Sequence, residues 1–239
     1  MPVFIASWFR ILVGVGALGL AACHQLPQTA HAPAGAAHWT TGWQPYALPG
    51  KSKTVYSPRY AEGRWVLHAQ AERSASMFRR SMRVDPDQLG NVVFSWKVPS
   101  LNADADVRQS DTEDAVVRVL LAFDGDHGQL SPRNRMMFDL MQGLTGETPP
   151  YATLMYVWDT QAEVGSVVVN KRTDRIRKIV LESGTQHVGQ WREYRRDIRA
   201  DYRRAFGEDP GPLIGVAVMT DADNTQSRTE AWYGEIRFE

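Results

Sequence analysis

The sequence lacks most of what would announce a chemistry. It has one cysteine, Cys23, so no intrachain disulfide can form and zinc sites built on several thiolates are excluded. Neither sign of charge is in excess: basic and acidic side chains number 27 each, which leaves no global field for capturing nucleic acid. The densest basic run, RRDIRADYRR at 195–204, is interrupted by Asp197 and Asp201. It reads as a solvated face, and nucleic acid is not an expected partner. No apolar run reaches the roughly 20 residues that a membrane-spanning helix needs. The G-x-S-x-G elbow, the H-E-x-x-H zinc motif and the P-loop are all missing, which removes the commonest hydrolase and nucleotide signatures.

What is present begins at the N-terminus. Residues 11–22 read ILVGVGALGLAA, preceded by Arg10 and ended by Cys23. That length suits the apolar region of a signal peptide over 1–22. Leu20-Ala21-Ala22-Cys23 resembles a bacterial lipobox. The resemblance implies that Cys23 is lipidated and begins the mature chain, an exported lipoprotein of the outer membrane facing the periplasm. Gly14, Gly16 and Gly19 match the dinucleotide fingerprint, but a motif inside an expected leader has no strand and helix around it and carries no cofactor. Residues 23–41, rich in Ala, Pro and Gln, are expected to be a disordered tether with a reach of roughly 20 Å. One domain is then expected over 42–239.

In that domain the pattern is that of strands. NVVFSWKV sets Val92, Phe94, Trp96 and Val98 against Asn91, Ser95 and Lys97. RWVLHAQA sets Trp65, Leu67 and Ala69 against Arg64, His68 and Gln70. AWYGEIRFE sets Trp232, Ile236 and Phe238 against Tyr233, Glu235 and Arg237. A period of two marks half-buried antiparallel strands. AVVRVLLAF (115–123) and LIGVAVM (213–219) are apolar on both faces and are expected at the centre of a sheet; YATLMYVW (151–158) and IRKIVLES (176–183) complete the set, the last with a bulge. Ser131-Pro132 predicts a helix start and Gly143 a stop, with Met136, Met137, Leu140, Met141 and Leu144 at helical spacing between them. DYRRAFG predicts a short capped turn from Asp201 to Gly207. The expected fold is mainly β: an antiparallel β-sandwich of jelly-roll type with one or two short helices.

Candidate functional residues lie where strands end. In DTEDAVVRVLLAF, Asp114 and Arg118 share a strand face but sit ~13 Å apart along it, too far to pair with each other. A guanidinium in so apolar a strand needs a carboxylate from elsewhere, a polar cavity or exposure. In TDADNT (220–225), Asp221, Asp223, Asn224 and Thr225 offer oxygen atoms. EF-hand spacing fails, because position 6 from Asp221 is Gln226 and position 12 is Trp232. Three readings stay open: a turn capped by its own side chains, an acidic partner for Arg118, or a looser Ca2+ site at Asp221 and Asp223. Trp158 and Tyr151 are candidate platforms for a sugar ring, with Trp43 and Tyr46 as similar candidates. His68 is a possible base without a visible partner.

The order of these segments is familiar. AQAERSASMFRR, FSWKV, DTEDAVVRVLLAF, LMYVW, IVLESG, DYRRAFG, VAVMTDADNT and AWYGEIRF resemble a bacterial domain family of unknown function, number 3047 in that series, over roughly residues 42–239. The resemblance implies that Arg118, Asp221, Asp223, Asn224 and Thr225 belong to the family pattern; Glu113-Asp114 stands where the family normally has Asp-Asp. It implies no activity. The expected function is a lipid-anchored envelope protein whose sandwich binds a ligand, a glycan or another polar envelope component. The alternatives are a carboxylate hydrolase, with Asp114 and Asp221 spaced ~5–5.5 or ~6.5–9.5 Å apart, and a structural lipoprotein that docks other envelope proteins through an exposed apolar patch.

Overall fold

The computed structural model describes residues 38–239. The expected signal peptide, Cys23 and the tether as far as residue 37 lie outside the described residues. Residues 38–41, expected as the end of the tether, form a turn on the domain. Thr40 is buried, and Trp39 meets Trp43 edge-on at 5.3 Å between ring centroids. These residues pack on the domain because the two indoles have apolar partners there.

In chain order the elements are β1 (Gln44–Ala47), β2 (Val55–Ala61), β3 (Arg64–Glu72), β4 (Ala75–Val84), β5 (Asn91–Lys97), β6 (Arg118–Phe123), α1 (Pro132–Thr145), β7 (Ala152–Asp159), β8 (Val167–Val169), β9 (Ile176–Ser183), β10 (Trp191–Asp197), α2 (Ile198–Phe206), β11 (Leu213–Asp221), β12 (Arg228–Tyr233) and β13 (Arg237–Phe238). They form two sheets, one ordered β1-β4-β11-β6-β7-β9-β8 and the other β10-β5-β12-β3-β2 with β13 also on β5. The described residues form a mainly β jelly-roll sandwich with two α-helices. One pairing departs from the antiparallel expectation: β7 and β9 run parallel, and the register slips between Val157 and Trp158. That slip is the bulge anticipated from the poor alternation of IRKIVLES.

Apolar runs occupy the centre of the first sheet as expected, β11 and β6 side by side. Strand β6 begins only at Arg118; Ala115, Val116 and Val117 precede it, all buried. Val92, Phe94, Trp96 and Val98 face the core between the sheets and are fully buried. A second, smaller core lies on the far side of the first sheet. There Leu120, Met155, Val157, Val180, Ala217 and Met219 are covered by the segment carrying Val107 and Ala115. Both faces of β6 and β11 are therefore buried, which is why their sequences do not alternate.

AWYGEIRFE does not run as one strand. Tyr233, expected outside, is fully buried, while Trp232 is half-buried on the outer face. The alternation breaks at Gly234, where a Cβ would lie 2.1 Å from Ser95 Oγ. Only glycine lets β12 pass so close to β5, and beyond it the chain leaves the sheet before rejoining as β13. The break allows both Tyr233 and Ile236 to point inward.

Helix α1 starts where proline and serine predict, with Ser131 Oγ accepting from Asn134 N at 3.2 Å. It runs through Gly143 and stops at Gly146, whose φ of +73° ends the helix without the steric cost a Cβ would bring. Helix α2 is capped by Asp197, not Asp201. Asp201 instead accepts from Tyr156 Oη at 2.9 Å and from Arg196 Nε at 2.8 Å, tying the helix to the sheets.

Candidate functional site

Two places concentrate polar side chains, and they differ in whether a ligand could enter. The first lies on the outer side of the first sheet. Met219, Arg118 and Val157 are register partners across β11, β6 and β7, so the Arg118 guanidinium enters the second core. It finds Asp221 from the neighbouring strand: Nε donates to Oδ1 at 3.1 Å and Nη2 to Oδ2 at 2.7 Å. Both side chains are at most 5% exposed. Nη2 also donates to the Glu113 carbonyl at 2.5 Å. The Glu113 carboxylate accepts from Lys178 Nζ at 2.7 Å and from Asn170 Nδ2 at 3.0 Å. Lys178 is fully buried and donates to the Val107 carbonyl at 2.8 Å. Of the three fates open to Arg118, the structure selects a buried ion pair.

Asp114 meets no cation directly among the described residues. Its oxygens accept from Asn224 N (3.2 Å), Thr225 N (2.8 Å) and Thr225 Oγ1 (2.5 Å). The TDADNT turn is thus capped by a carboxylate more than a hundred residues distant, and not by its own aspartates. Asp221, at the end of β11, also accepts from Ala115 N at 2.9 Å. Burial, reinforced by the nearby Asp114 charge, pushes the Asp221 carboxyl up to about 6 against the pull of Arg118. Burial and the Arg118 charge lower Lys178, while Asp221 and Glu113 more than offset burial at Arg118 and hold it cationic.

Asp114, Asp221 and Asp223 bring carboxylate oxygens within 4.8 Å of one another, as a metal site would require. The remaining donors argue against one. Ca2+ takes six to eight oxygens with free lone pairs, whereas both Asp221 oxygens face Arg118, both Asp114 oxygens face the turn, and Asp223 pairs with Lys51. Arg118 and Lys51 already supply the positive charge. A resident ion at about a hundred times its dissociation constant would contribute ~2.7 kcal/mol, roughly 5–10 °C in a domain of this size. Melting curves with and without a chelator are accordingly expected to coincide. A drop of several degrees, restored by Ca2+, would show the cluster to be an ion site.

The cluster has no cleft. The void beside Asp114, Asp221, Asn102 and Trp158 amounts to about 10 Å³, room for one water. A hydrolase built on Asp114 and Asp221 has no place for a sugar. The expected aromatic platforms also fail. Trp158 is 1% exposed, in the core, with Nε1 donating to the Gly184 carbonyl at 3.0 Å. Tyr151 is covered by the Arg175 guanidinium, 3.9 Å from its ring centroid, because Arg175 is held there by Glu208 at 2.5 Å. Trp43 is buried, and Tyr46 lies under Arg79 at 3.8 Å. His68 has the partner that its sequence did not reveal, Glu230 at 3.0 Å, and stacks on Trp232 at 3.8 Å.

The second place is an open groove in the other sheet. Strands β2 and β3 meet in a turn at Glu62 and Gly63, with φ of +52° and +77°. The turn reaches across the sheet. Glu62 accepts from Lys97 Nζ of β5 at 2.5 Å and from Trp191 Nε1 of β10 at 2.6 Å, while the Arg64 guanidinium lies 3.7 Å from the Trp191 ring centroid. Where β12 leaves the sheet after Tyr233, β3 and β5 lose their shared neighbour. There a groove of about 400 Å³ opens, lined by Trp39, Arg64, Trp65, Val93, Phe94, Ser95, Glu193, Glu235 and Arg237. Glu193 and Ser95 are register partners, as are Arg237 and Val93, so their side chains share the outer face. Trp39 Nε1 is buried without a hydrogen-bond partner. None of these residues stood out in the sequence except as members of alternating strands. The alternation placed Arg64, Ser95, Glu235 and Arg237 outside the core, but nothing local showed that they converge.

Fold and site define a jelly-roll sandwich with a closed ionic cluster on one sheet and an open aromatic groove on the other. The chain belongs to the family described as "Protein of unknown function (DUF3047)", which matches residues 41–237. No curated protein matches it. Solved structures are similar to it at low identity. A family 11 carbohydrate-binding module of the cellulosomal cellulase Lic26A-Cel5E of Clostridium thermocellum is 11% identical, over 82% of this chain and 85% of that one, with a TM-score of 0.39. A variant of the Cel12A cellulase of Rhodothermus marinus is 10% identical, over 84% and 93%, with a TM-score of 0.45. The xyloglucanase domain of NopAA from Sinorhizobium fredii, in complex with cellobiose, is 9% identical, over 83% and 94%, with a TM-score of 0.43. These are likenesses of outline, and what those proteins bind is a property of theirs.

Proposed function

We propose that this domain binds a carbohydrate in the groove of the second sheet, as part of an envelope lipoprotein anchored through Cys23. The observation that carries the reading is the composition of the groove: Trp39 and Trp65 beside Arg64, Ser95, Glu193, Glu235 and Arg237, in a volume of about 400 Å³. Ligand pockets of ~300–1,000 Å³ combine apolar walls with a few placed polar groups, and sugars need both. The C–H face of a pyranose packs on an indole, and its hydroxyls exchange hydrogen bonds with carboxylates and guanidinium groups. Two arginines and two glutamates line the groove, Arg237 pairing with Glu235 at 3.4 Å, and leave it without a dominant charge, which favours a neutral or zwitterionic saccharide over a polyanion.

The role assigned to each side chain follows from its chemistry. Glu193 and Glu235 accept from hydroxyls, Arg64 and Arg237 donate to them, and Ser95 does either. Because Glu193 and Arg237 are exposed, Glu193→Ala and Arg237→Ala are expected to leave the fold within about 0.5 kcal/mol of the parent. Each is expected to weaken binding to envelope-derived glycans about tenfold, the worth of one charge-assisted hydrogen bond. Glycan-array and pull-down measurements on folded protein check this. Uniformly negative binding by the parent chain sinks the proposal.

A further inference from the structure

Helix α1 buries little of its apolar content. Its anchors are Phe138, 5.7 Å from the His127 ring, and Asn134, which donates to Asp174 at 2.6 Å and accepts from Thr173 Oγ1 at 2.9 Å. On the opposite side Met136, Leu140 and Leu144 succeed one another at intervals of one helical turn and are 68, 56 and 60% exposed. The other large exposed apolar side chains among the described residues, Val55, Val164 and Val169, lie on separate segments. Among the described residues only α1 therefore presents an apolar stripe, and a stripe on solvent implies something that covers it.

The surroundings of the stripe are basic. Arg133 falls on the same side of the helix as Leu140 and Leu144, and its Nη2 donates to the Lys171 carbonyl at 3.1 Å. That contact brings Lys171 and Arg172 beside the helix start; Arg135, whose Nη2 donates to the Gly128 carbonyl at 3.1 Å, lies on another side of the helix. All four are exposed, and none of them forms an ion pair among the described residues. The acidic groups at the same place are Asp139 and Asp174, the latter held by Asn134.

We propose that this face of α1 rests on an anionic lipid surface, with the apolar stripe at the headgroup boundary and the basic residues at the lipid phosphates. A helix with an apolar stripe flanked by arginine and lysine is the arrangement that binds in the interface plane, and basic residues near an anionic surface add attraction. The position of the helix agrees. Glu147, just past the Gly146 cap, pairs with Arg79 of β4 through contacts of 2.7 and 2.8 Å, and Arg79 covers Tyr46 of β1. The end of α1 thus adjoins the first strand, near which the chain comes in. A lipid on Cys23, as in the proposed function, would bring that entry point to the same membrane; this supporting argument alone rests on the lipoprotein reading.

The test uses the full chain carrying Cys23→Ser, so that failure of the lipoprotein reading leaves it intact. Leu140→Cys is added and labelled with an environment-sensitive nitrobenzoxadiazole. On vesicles of phosphatidylethanolamine and phosphatidylglycerol the label is expected to shift to the blue and to be quenched by acyl-chain doxyl lipids. A label at Val55→Cys keeps its aqueous emission. Arg133→Glu with Lys171→Glu is expected to raise the lipid needed for half the shift at least ~10-fold. Aqueous emission from residue 140 on saturating vesicles overturns the proposal. An equal shift on phosphatidylcholine overturns the anionic assignment. A shift without vesicles that grows with protein concentration shows that a second copy covers the stripe and overturns it as well.

Discussion

Replacing Arg118 with methionine is expected to lower the unfolding free energy by about 3–5 kcal/mol at pH 7.5, the cost of leaving one member of a buried pair without its partner. The group left behind is Asp221, 4% exposed, which loses two charge-assisted bonds and keeps only Ala115 N. Glu113 loses a second cation and retains Lys178. Guanidinium denaturation measures the loss, which at this chain length corresponds to a melting shift of roughly 10 °C. The double variant with Asp221→Asn is expected to recover part of it, because no buried charge is then unpaired.

The loss should depend on pH, and its sign follows from Asp221. In the parent its folded value of about 6 lies above the unfolded value near 3.8, so between the two the folded state binds more protons. This group's contribution is then complete below the unfolded value and declines as pH rises through about 6. Without Arg118 the folded value rises further, and the decline extends to higher pH. Arg118→Met should accordingly cost less at pH 5 than at pH 7.5. A deficit under ~1 kcal/mol, or one identical at the two pH values, would mean that the pair does not anchor this side of the sheet.

The second large effect concerns the groove. Trp65→Ala is expected to weaken glycan binding at least ~30-fold, or ~2 kcal/mol, as for an aromatic at the centre of a binding surface. Trp65→Phe should lose less, since a smaller ring still offers a flat apolar face. Trp65 is half-buried, 5.7 Å edge-on from Tyr60 and 5.5 Å from His38, so circular dichroism should accompany titration to confirm that the sheet is intact. An unchanged affinity in well-folded Trp65→Ala would remove the groove from consideration and leave glycan binding to another surface.

Several features were legible in the residues alone. Alternation in NVVFSWKV identified a strand and its inner face, since a period of two is a property of the extended backbone and needs no neighbour, but not that Val93 and Ser95 on the other face would be buried as well. The apolar runs at 115–123 and 213–219 read as central strands for a similarly local reason: only a strand covered on both sides can dispense with polar positions. Ser131-Pro132 marked a helix start because proline fits where the first amide has no acceptor. The charge on Arg118 required a partner wherever the fold buried it. From sequence, Asp221 was one of several candidates, since a partner 103 positions away is set by which strand lies next to which.

Tertiary structure decided the rest. The DTED and TDADNT segments meet only because β6 and β11 are neighbours, and their meeting turned a possible ion site or active site into a closed cluster. Trp158 pointed inward because β7 lies inside the sheet, where either face of an indole finds core. The groove depended on still less local facts: a glycine at 234 with no room for a Cβ, a strand that leaves its sheet, and a turn at Glu62 that crosses to Trp191. By itself the sequence determined the class of fold and the need to neutralise Arg118, through backbone periodicity and the cost of a buried charge. Which polar residues stay open to a ligand was settled by strand order, because convergence in space has no period along the chain.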